Sequence, residues 1–540
     1  MKKVLNKIII FALIFVMLLG GVAGCGEKTP TTLLPEYTAK HEFNTYAYGA
    51  SSDGFFIIDG ERVLMVEDAM SVERMKEYKE AGFSAMYITA LGYYERENWE
   101  ECPAKKIMEN CHEAGLDKVL LTDFYLRDLA NERLLVGEGS AYRIDSTGYS
   151  EPEYDGDDRT KEERAIDALV WERLQDYVNH PTFWGFNMWD EPTYELVESY
   201  GKLYKSIRRV QELHDLRYIY IHCNLGPLGF YTDHFTKYSK TEEGKYIDEN
   251  GNELNYRTAY EKYVQDYIDA TDCDRLSVDI YAFRSHGLFA GFFQTMQIFK
   301  EVCDRNGVEM TYVGQSFNTY NGQVEGYAEV SKSEMMYEAN VALGMGVSGY
   351  AYYTYWPYTT QDMSGSKSRD NYNFLTLNGE KTKVYYYGQE VLAYMKDFNT
   401  VISNYDYLGA KMYRPDSITT IDVTPFFSSI VDVITKTTAD WDNTHEFTLV
   451  KGVKYDNDIL FMTELKDAEN DLYMYMVQNV INPSDGKSLS TDINVEIDFG
   501  NEYKWVAEFD CGVLRYVELE DGVYKTGLSA GYANFIVPLK

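Results

Sequence analysis

Thr182-Phe-Trp-Gly-Phe-Asn-Met-Trp-Asp190-Glu191-Pro192 reads as a buried strand that stops on two adjacent carboxylates and a proline, with a helical pattern starting at once behind it. In that helix, Tyr194 to Leu213, residues Leu196, Val197, Tyr200, Leu203, Tyr204, Ile207 and Val210 fall on one apolar stripe. Where strands alternate with helices, catalytic groups collect at this handover, because the strand fixes the side chain while the loop opens to solvent.

Outward from this segment, short apolar runs and amphipathic stretches alternate from about residue 43 to 402. The first strand is either Phe43 to Tyr48 or Val63 to Val66, and Phe55 to Ile58 with Val63 to Val66 also reads as a hairpin about Asp59-Gly60. Later strands are expected at Ala85 to Leu91, Lys118 to Phe124, Tyr218 to Asn224, Leu276 to Tyr281, Met310 to Ser316 and Val347 to Trp356. The intervening helices include Val72 to Ala81, Ala104 to Ala114, Lys161 to Val178 and a closing Val384 to Ile402, with insertions at Gly137 to Thr160 and Gly226 to Asn255. The pattern predicts a (β/α)8 barrel over residues 42–403 with its site at the carboxyl ends of the strands. A doubly wound open sheet fits less well, since no strand is followed by a Gly-rich phosphate turn. From about Asn404 to residue 540 the helices stop, and short alternating strands with Asp-Gly turns predict a β-sandwich; its expected strands are Ile418 to Val423, Ile459 to Met462, Leu472 to Asn479, Asn494 to Phe499, Trp505 to Phe509, Val513 to Glu518, Val523 to Lys525 and Ala533 to Pro538.

Residues 1–24, with Lys2, Lys3 and Lys7 ahead of the apolar run Ile8 to Leu19, have the form of a signal peptide. Val22-Ala23-Gly24-Cys25 resembles a bacterial lipobox, which makes Cys25 the expected lipidated first residue of an exported protein anchored on the outer face of a cell membrane; an ordinary cleaved signal with an incidental cysteine is the competing reading. Residues 25–41, rich in Thr and Pro, read as a tether. The other cysteines, Cys102, Cys111, Cys223, Cys273, Cys303 and Cys511, are widely spaced and lack any CxxC pair, so buried free thiols are expected rather than a disulfide framework or a zinc site.

The formal net charge is −35, and removal of Lys2, Lys3 and Lys7 with the signal takes it to −38. Such a surface excludes nucleic acid and anionic headgroups as partners and disfavours acidic polysaccharides. Neutral carbohydrate suits it, and the 49 Tyr and 7 Trp supply flat amphipathic rings of the kind that stack on sugars, although such rings also build cores.

Glu191 becomes a general acid if its pKa is raised, and Asp190 beside it supplies a like charge that pushes in that direction. Trp184, Phe186 and Trp189 add apolar walls. The competing reading has Asp190 capping the helix that begins near Pro192, with Glu191 facing water.

The run His180-Pro-Thr-Phe-Trp-Gly-Phe-Asn-Met-Trp-Asp-Glu-Pro192 resembles the fourth-strand motif of (β/α)8 glycosidases related to clan A, in which an acid/base Glu follows Asn or Asp and precedes Pro. Ser277-Val-Asp-Ile-Tyr281, Val313-Gly-Gln315, the helix Tyr337-Glu-Ala-Asn-Val-Ala-Leu-Gly344 and Tyr353-Thr-Tyr-Trp356 are similar to strands six to eight of that group. Leu528-Ser-Ala-Gly-Tyr-Ala-Asn-Phe535 is similar to the sandwiches that follow such barrels. The resemblance implies a glycoside hydrolase, and it also implies a nucleophilic Glu at the end of strand seven, where this chain has Gln315 and no carboxylate until Glu325.

A retaining double displacement needs a second carboxylate about 5 Å from the first. Three ways round its absence are open. Asp279 or Asp123 acts as base of an inverting reaction, in which the carboxyls stand about 6.5 to 9.5 Å apart; or Asp190 orients an acetamido group of the substrate that itself attacks, as in hexosaminidases with an Asp-Glu pair; or the site binds sugar without cleaving it, with Gln315 as a neutral contact. Against these stand structural readings: Asp279 paired with Arg275 or Arg284, and Asp123 held by Arg127. Trp189, Asn224, Tyr281, Tyr353, Tyr355 and Trp356 are candidate sugar contacts, with His222 beside Asn224. No metal or cofactor is expected, because the acidic loops Asp155 to Asp158 and Asp467 to Asp471 lack EF-hand spacing. The expected function is a lipid-anchored glycoside hydrolase with Glu191 as general acid, Asp190 as its orienting neighbour and Asp279 as second carboxylate. A non-catalytic carbohydrate-binding lipoprotein is the alternative, and a solute-binding lipoprotein is disfavoured by the terminal sandwich.

Overall fold

The computed structural model describes residues 33–50, 55–58, 61–88, 96–130, 157–228, 239–240, 246–247, 250–254, 256–284, 287–289, 291–318, 327–357, 373–413, 444–456, 459–481 and 492–540. The expected signal, the lipobox cysteine Cys25, most of the insertion before Thr160 and the strand Ile418 to Val423 lie outside them.

Eight parallel strands carry the fold: β1 (Asn44–Tyr48), β2 (Met86–Ile88), β3 (Val119–Leu121), β4 (Phe183–Asp190), β5 (Tyr220–Leu225), β6 (Arg275–Asp279), β7 (Glu309–Gln315) and β8 (Gly349–Tyr353). Their order in the sheet is β1-β8-β7-β6-β5-β4-β3-β2. The two ends meet where Ser84 and Ala85, just ahead of β2, donate backbone N–H groups to Thr45 O at 2.9 and 3.0 Å, so the sheet is a nearly closed barrel. Val63 to Val66, the rival for first strand, instead belongs to the antiparallel ribbon of Phe55–Ile58 and Glu61–Leu64.

One main helix follows each strand: α1 (Val72–Glu80), α2 (Pro103–Ala114), α3 (Lys161–Leu174), α4 (Val197–Leu213), α5 (Tyr256–Thr271), α6 (Gly291–Asn306), α7 (Lys332–Gly344) and α8 (Lys383–Ile402); a short helix, Phe124–Asp128, also lies between β3 and α3. Local chemistry sets several boundaries. Thr160 and Ser331 form capping boxes with Glu163 and Glu334 at the starts of α3 and α7. Pro103 opens α2, and Gly115 closes it in the left-handed region at φ 73°.

The C-terminal strands are β9 (Asp406–Tyr413), β10 (Gly452–Tyr455), β11 (Leu460–Asp467), β12 (Leu472–Asn479), β13 (Ile493–Asp498), β14 (Trp505–Asp510), β15 (Val513–Glu518), β16 (Val523–Leu528) and β17 (Ala533–Leu539). They form a six-stranded antiparallel sheet, β9-β11-β12-β17-β14-β15, and a three-stranded sheet, β10-β13-β16. Leu460, Met462, Tyr475, Val477 and Ile536 meet Ile493, Val495, Ile497 and Tyr524 between the two sheets, which makes this a sandwich. The outer face of the larger sheet packs on barrel helices: Phe293 of α6 lies 4.8 Å from Phe461, Phe398 of α8 lies 4.8 Å from Phe535, and Gln478 Nε2 donates to Tyr337 O at 3.0 Å. A strand buried on both faces carries no polar alternation, and β11 accordingly runs five residues past the end expected from its apolar start. The free cysteines are buried as expected, except Cys511, which is exposed.

Candidate active site at the carboxyl end of the barrel

The end of β4 owes its shape to two irregularities. Asn187 pairs with His222 and Asp190 with Asn224, so three residues of β4 match two of β5 and the register shifts between Asn187 and Trp189. This bulge keeps Asn187 and Asp190 on the same side of the sheet as His222 and Asn224. Glu191 follows with φ 49°, in the left-handed region that non-glycine residues seldom enter, and its N–H donates to Asn224 O at 2.8 Å. The strand alternation that would have sent the two carboxylates to opposite faces is thereby broken. Asp190 is not the helix cap considered above: the first turn after the strand is a 3-10 turn at Tyr194–Leu196 preceded by Thr193.

Two tyrosines of α5 fix the loops around Glu191. Tyr263 donates its hydroxyl to Pro192 O at 2.6 Å, and Tyr260 donates to Gly226 O at 2.9 Å. Gly226 leaves room for the acid, since a Cβ there would stand 3.2 Å from Glu191 Oε1.

Asp190, Glu191 and Asp279 interact. Asn224 Nδ2 donates to Asp190 Oδ1 at 3.0 Å, and Asn224 Oδ1 accepts the Ser277 hydroxyl at 3.1 Å, a line of bonds across β4, β5 and β6. Asp279 is only 5% exposed, and its Oδ1 has no hydrogen-bond partner among the described residues. Burial, and then the charge of Asp190, push its carboxyl up to about 7. Glu191, half-buried, is raised well above the ordinary carboxyl range by desolvation first, then by Asp279 and Asp190. Asp190 keeps solvent-exposed surface; the protein around it still pushes its carboxyl up, while the bond from Asn224 pulls the other way. Arg275 and Arg284 do not neutralise the group: Arg275 pairs with Glu309 at 3.2 Å and lies over Tyr220, and Arg284 lies 3.8 Å over the ring of Tyr327. Buried like charges that raise one another resist ionising together, so the cluster retains a proton at a pH where isolated carboxyls have lost theirs.

Neutral groups form the floor and wall. His222 bridges the hydroxyls of Tyr46, at 3.1 Å from Nδ1, and Tyr48, at 2.9 Å from Nε2, and burial lowers its pKa to about 3, so it stays uncharged. Asn187 Nδ2 donates to the Tyr87 hydroxyl, while Asn187 Oδ1 is buried without a partner among the described residues. Tyr281 and Tyr353 are partly exposed, 5.6 Å apart between ring centres, with Phe317 4.9 Å from Tyr281 and Tyr48 5.9 Å from Tyr353. Tyr48, Tyr87 and Asn187 were not among the candidates read from sequence. The signal for Tyr48 was available in the alternation of Asn44, Tyr46 and Tyr48 along β1.

Four sequence candidates serve the fold instead. Gln315 is fully buried: its Oε1 accepts from Phe283 N at 3.0 Å, and its Nε2 donates to Ala328 O at 3.0 Å and Phe317 O at 3.3 Å. An amide saturated by backbone has nothing to offer a sugar, and the expected contact at Gln315 is withdrawn. Asp123 caps the short helix Phe124–Asp128 through Oδ1, and its Oδ2 accepts from Arg173 Nε and the Tyr177 hydroxyl, each at 2.8 Å. It is a structural carboxylate, held by Arg173 rather than Arg127. Tyr355 is 2% exposed among Tyr78, Phe83 and Phe374, and Trp356 is buried against Arg74 and Gly379. Neither presents a ring to the cleft. Trp189 lies on β4, but its side chain falls outside the described ones. Among the described residues no group of His, Cys, Asp and Glu has metal-site geometry.

No protein-family model matches the chain, and no curated protein does either. Solved structures of similar fold include a glycoside hydrolase family 5 protein from Bacteroides vulgatus ATCC 8482, at 9% identity over 93% of this chain and 90% of that one with a TM-score of 0.42. The alpha-amylase from Geobacillus thermoleovorans, complexed with acarbose, shares 10% identity over 92% of this chain and 98% of its own with a TM-score of 0.41. A GH30 endoxylanase from Clostridium papyrosolvens C71 shares 11% over 93% and 98% with a TM-score of 0.36. Likenesses this distant assign no chemistry, which is read instead from the side chains of the cleft.

Proposed function

We propose that the protein hydrolyses glycosidic bonds of a neutral oligo- or polysaccharide, with Glu191 as the proton donor to the leaving oxygen. The observation that carries this reading is the placement of Glu191 at the mouth of a (β/α)8 barrel, desolvated and coupled to Asp279 and Asp190, so that it holds a proton where an ordinary carboxyl has lost it. Tyr281 and Tyr353 beside it offer ring faces of the kind on which a sugar stacks. The binding-only alternative leaned on Gln315, and that amide is occupied by backbone groups. We further propose that the chain is exported and lipid-anchored through Cys25. The tether expected over residues 25–41 is shorter than that, because Leu34 and Tyr37 pack on the folded body, with the Tyr37 hydroxyl donating to Asp467 Oδ2 at 2.9 Å and lying 2.7 Å from the Tyr405 hydroxyl.

The test is hydrolysis of a panel of chromogenic glycosides by the soluble chain starting after Cys25 and by its Glu191→Gln variant. Cleavage that falls by about 100- to 10,000-fold in the variant is the expected result. Full activity in Glu191→Gln would sink the assignment. For the anchor, Cys25→Ala is expected to move the protein from the membrane fraction to the medium, and unchanged fractionation would count against lipidation.

A further inference from the structure

We propose that Asp279 is the general base of an inverting hydrolysis, taking a proton from a water that attacks the anomeric carbon in the space over Gly226, across from the acid Glu191. This rests on the glycosidase reading above and gives that site its second carboxylate and its stereochemical outcome.

Three observations lead there. The first is which strands end on a carboxyl. Among the described residues only the ends of β3, β4 and β6 carry one: Asp123, the Asp190-Glu191 pair and Asp279. Asp123 is occupied by Arg173, Tyr177 and the helix it caps. At the end of β7 stands Gln315, whose side chain is taken by backbone groups. Asp190 sits on the same strand end as Glu191. Asp279 is the remaining partner for the acid.

The second is register. Asp190 and Ser277 both pair with Asn224, so the three form one row across β4, β5 and β6, bonded through the Asn224 amide. Ser277 and Asp279 lie two apart on β6 and face the same side, which lifts Asp279 one layer towards the mouth. The pairing of Asn224 with Ser277 and Leu225 with Val278, carried one residue further, sets Gly226 beside Asp279. On the other flank of Gly226 the turn at φ 49° brings in Glu191, whose Oε1 lies 3.2 Å from the point a Cβ of Gly226 would occupy. Glu191, Gly226 and Asp279 thus form the next layer, two carboxyls with a residue lacking a side chain between them. Strands two apart stand roughly 9.5 Å from each other, and side chains that lean inward narrow this towards the span of about 6.5 to 9.5 Å in which an inverting pair holds a water, wider than the roughly 5 to 5.5 Å of a retaining pair.

The third is the division of labour between the two carboxyls. Asp279 is 5% exposed, and its Oδ1 has no hydrogen-bond partner among the described residues, so an acceptor is left for the proton of a water. Burial raises both groups and the charge of Asp190 adds to it, but only Asp279 has neighbours, the Asn224 amide and the Tyr281 hydroxyl, that favour its ionised form. When the cluster gives up a proton, Asp279 releases it and Glu191 keeps its own, which sets one as base and the other as acid.

The reaction balances in a single displacement. Water forms a bond to the anomeric carbon and gives a proton to Asp279, while the glycosidic C–O bond breaks on the opposite face. The electron pair of that bond stays on the leaving oxygen, which takes the Glu191 proton. The product is a free sugar of inverted configuration. Asp279 then returns its proton to solvent and Glu191 takes one back, and no covalent enzyme intermediate forms.

The experiment follows by proton NMR the first sugar anomer that the soluble chain releases from the 4-nitrophenyl glycosides it cleaves. It also compares kcat of the parent, Asp279→Ala and Glu191→Gln on 4-nitrophenyl and 2,4-dinitrophenyl glycosides, with and without sodium azide. The first anomer is expected to be inverted. Asp279→Ala should lose about 100- to 10,000-fold on both leaving groups, because a base acts on the water whatever departs, while Glu191→Gln recovers most of its rate on the dinitrophenyl group, which needs little help from an acid. Azide attacks without a base, so it should restore Asp279→Ala and yield a glycosyl azide of inverted configuration. A retained first anomer with Glu191-dependent cleavage, or Asp279→Ala within about tenfold of the parent, overturns this inference and leaves the glycosidase reading standing. The anomer is read on the parent, so it decides even where Asp279→Ala fails to fold. Cleavage of 4-nitrophenyl glycosides that is indifferent to Glu191→Gln, or none on the whole panel, overturns both.

Discussion

Asn224 is held at both ends: its Oδ1 accepts the Ser277 hydroxyl at 3.1 Å while its Nδ2 donates to Asp190 Oδ1 at 3.0 Å. The Ser277 bond orients the amide so that a donor, and not its carbonyl, faces Asp190. A donor favours the ionised carboxylate and opposes the desolvation that raises Asp190. In a cluster that shares protons, a donor that lowers the proton affinity of one carboxyl shifts the proton towards the others.

Replacing Asn224 by Ala therefore raises the proton affinity of Asp190 and sets it in competition with Glu191. With the proton shared differently between Asp190 and Glu191, the acid limb of the pH–rate profile is expected to move to higher pH, with kcat down about 10- to 100-fold. Chemical unfolding should show a loss of about 1–3 kcal/mol from the two broken bonds. A pH profile that keeps its shape while stability drops would confine Asn224 to a structural role.

Asp279 links the same cluster to stability. Its carboxyl sits at about 7 in the folded protein against an ordinary value of 3.8, so folding favours the protonated form. The stability this group contributes is complete below about pH 4, declines as pH rises towards 7, and is gone above it. Asp279→Asn removes the titration. Urea unfolding is expected to give a flatter stability profile for the variant, with a relative gain over the parent of on the order of 2–4 kcal/mol at pH 8 compared with pH 4. Parallel curves for the two proteins would mean that Asp279 keeps an ordinary pKa.

Gly226 offers a steric test of Glu191 that leaves its chemistry in place. A methyl group at this position meets Oε1 at 3.2 Å and displaces the carboxyl by a few tenths of an ångström. Gly226→Ala should lower kcat about tenfold or more, because a small misplacement of an acid is felt in the rate, while the melting temperature stays near that of the parent. Unchanged kcat would show that the carboxyl has freedom to re-aim.

The sequence makes the barrel legible because each unit carries its own boundary signals, such as Thr160 with Glu163 ahead of α3 and Gly115 behind α2. The Asp190-Glu191 pair is legible for the same reason, as a strand end followed at once by a periodic helix. What escapes is set by partners distant along the chain. The role of Asp123 depends on Arg173 and Tyr177, 50 and 54 residues away, and that of Gln315 on backbone groups of Phe283 and Ala328, 32 and 13 residues away. Strand β9 escapes because its apolar alternation is broken by Gly409, where the register against β11 shifts.

The fate of Gln315 gives the sharpest contrast between motif and structure. A reader of the motif alone would restore the missing strand-seven nucleophile with Gln315→Glu. The structure predicts failure. The substitution replaces Nε2, which donates to Phe317 O and Ala328 O, by an acceptor facing two carbonyls, and it does so in a fully buried place. Glu338, itself buried and raised to about 8 by desolvation, holds the N–H groups of Gln315 and Ala282 and adds a second carboxyl to the same small volume. Gln315→Glu is expected to cost about 3–5 kcal/mol in chemical unfolding at neutral pH, less in acid where the new group is protonated, and to add no retaining hydrolysis of glycosides. A stable Gln315→Glu protein with new retaining activity would show that this side chain swings into the cleft, and the role of a buried strut would have to be given up.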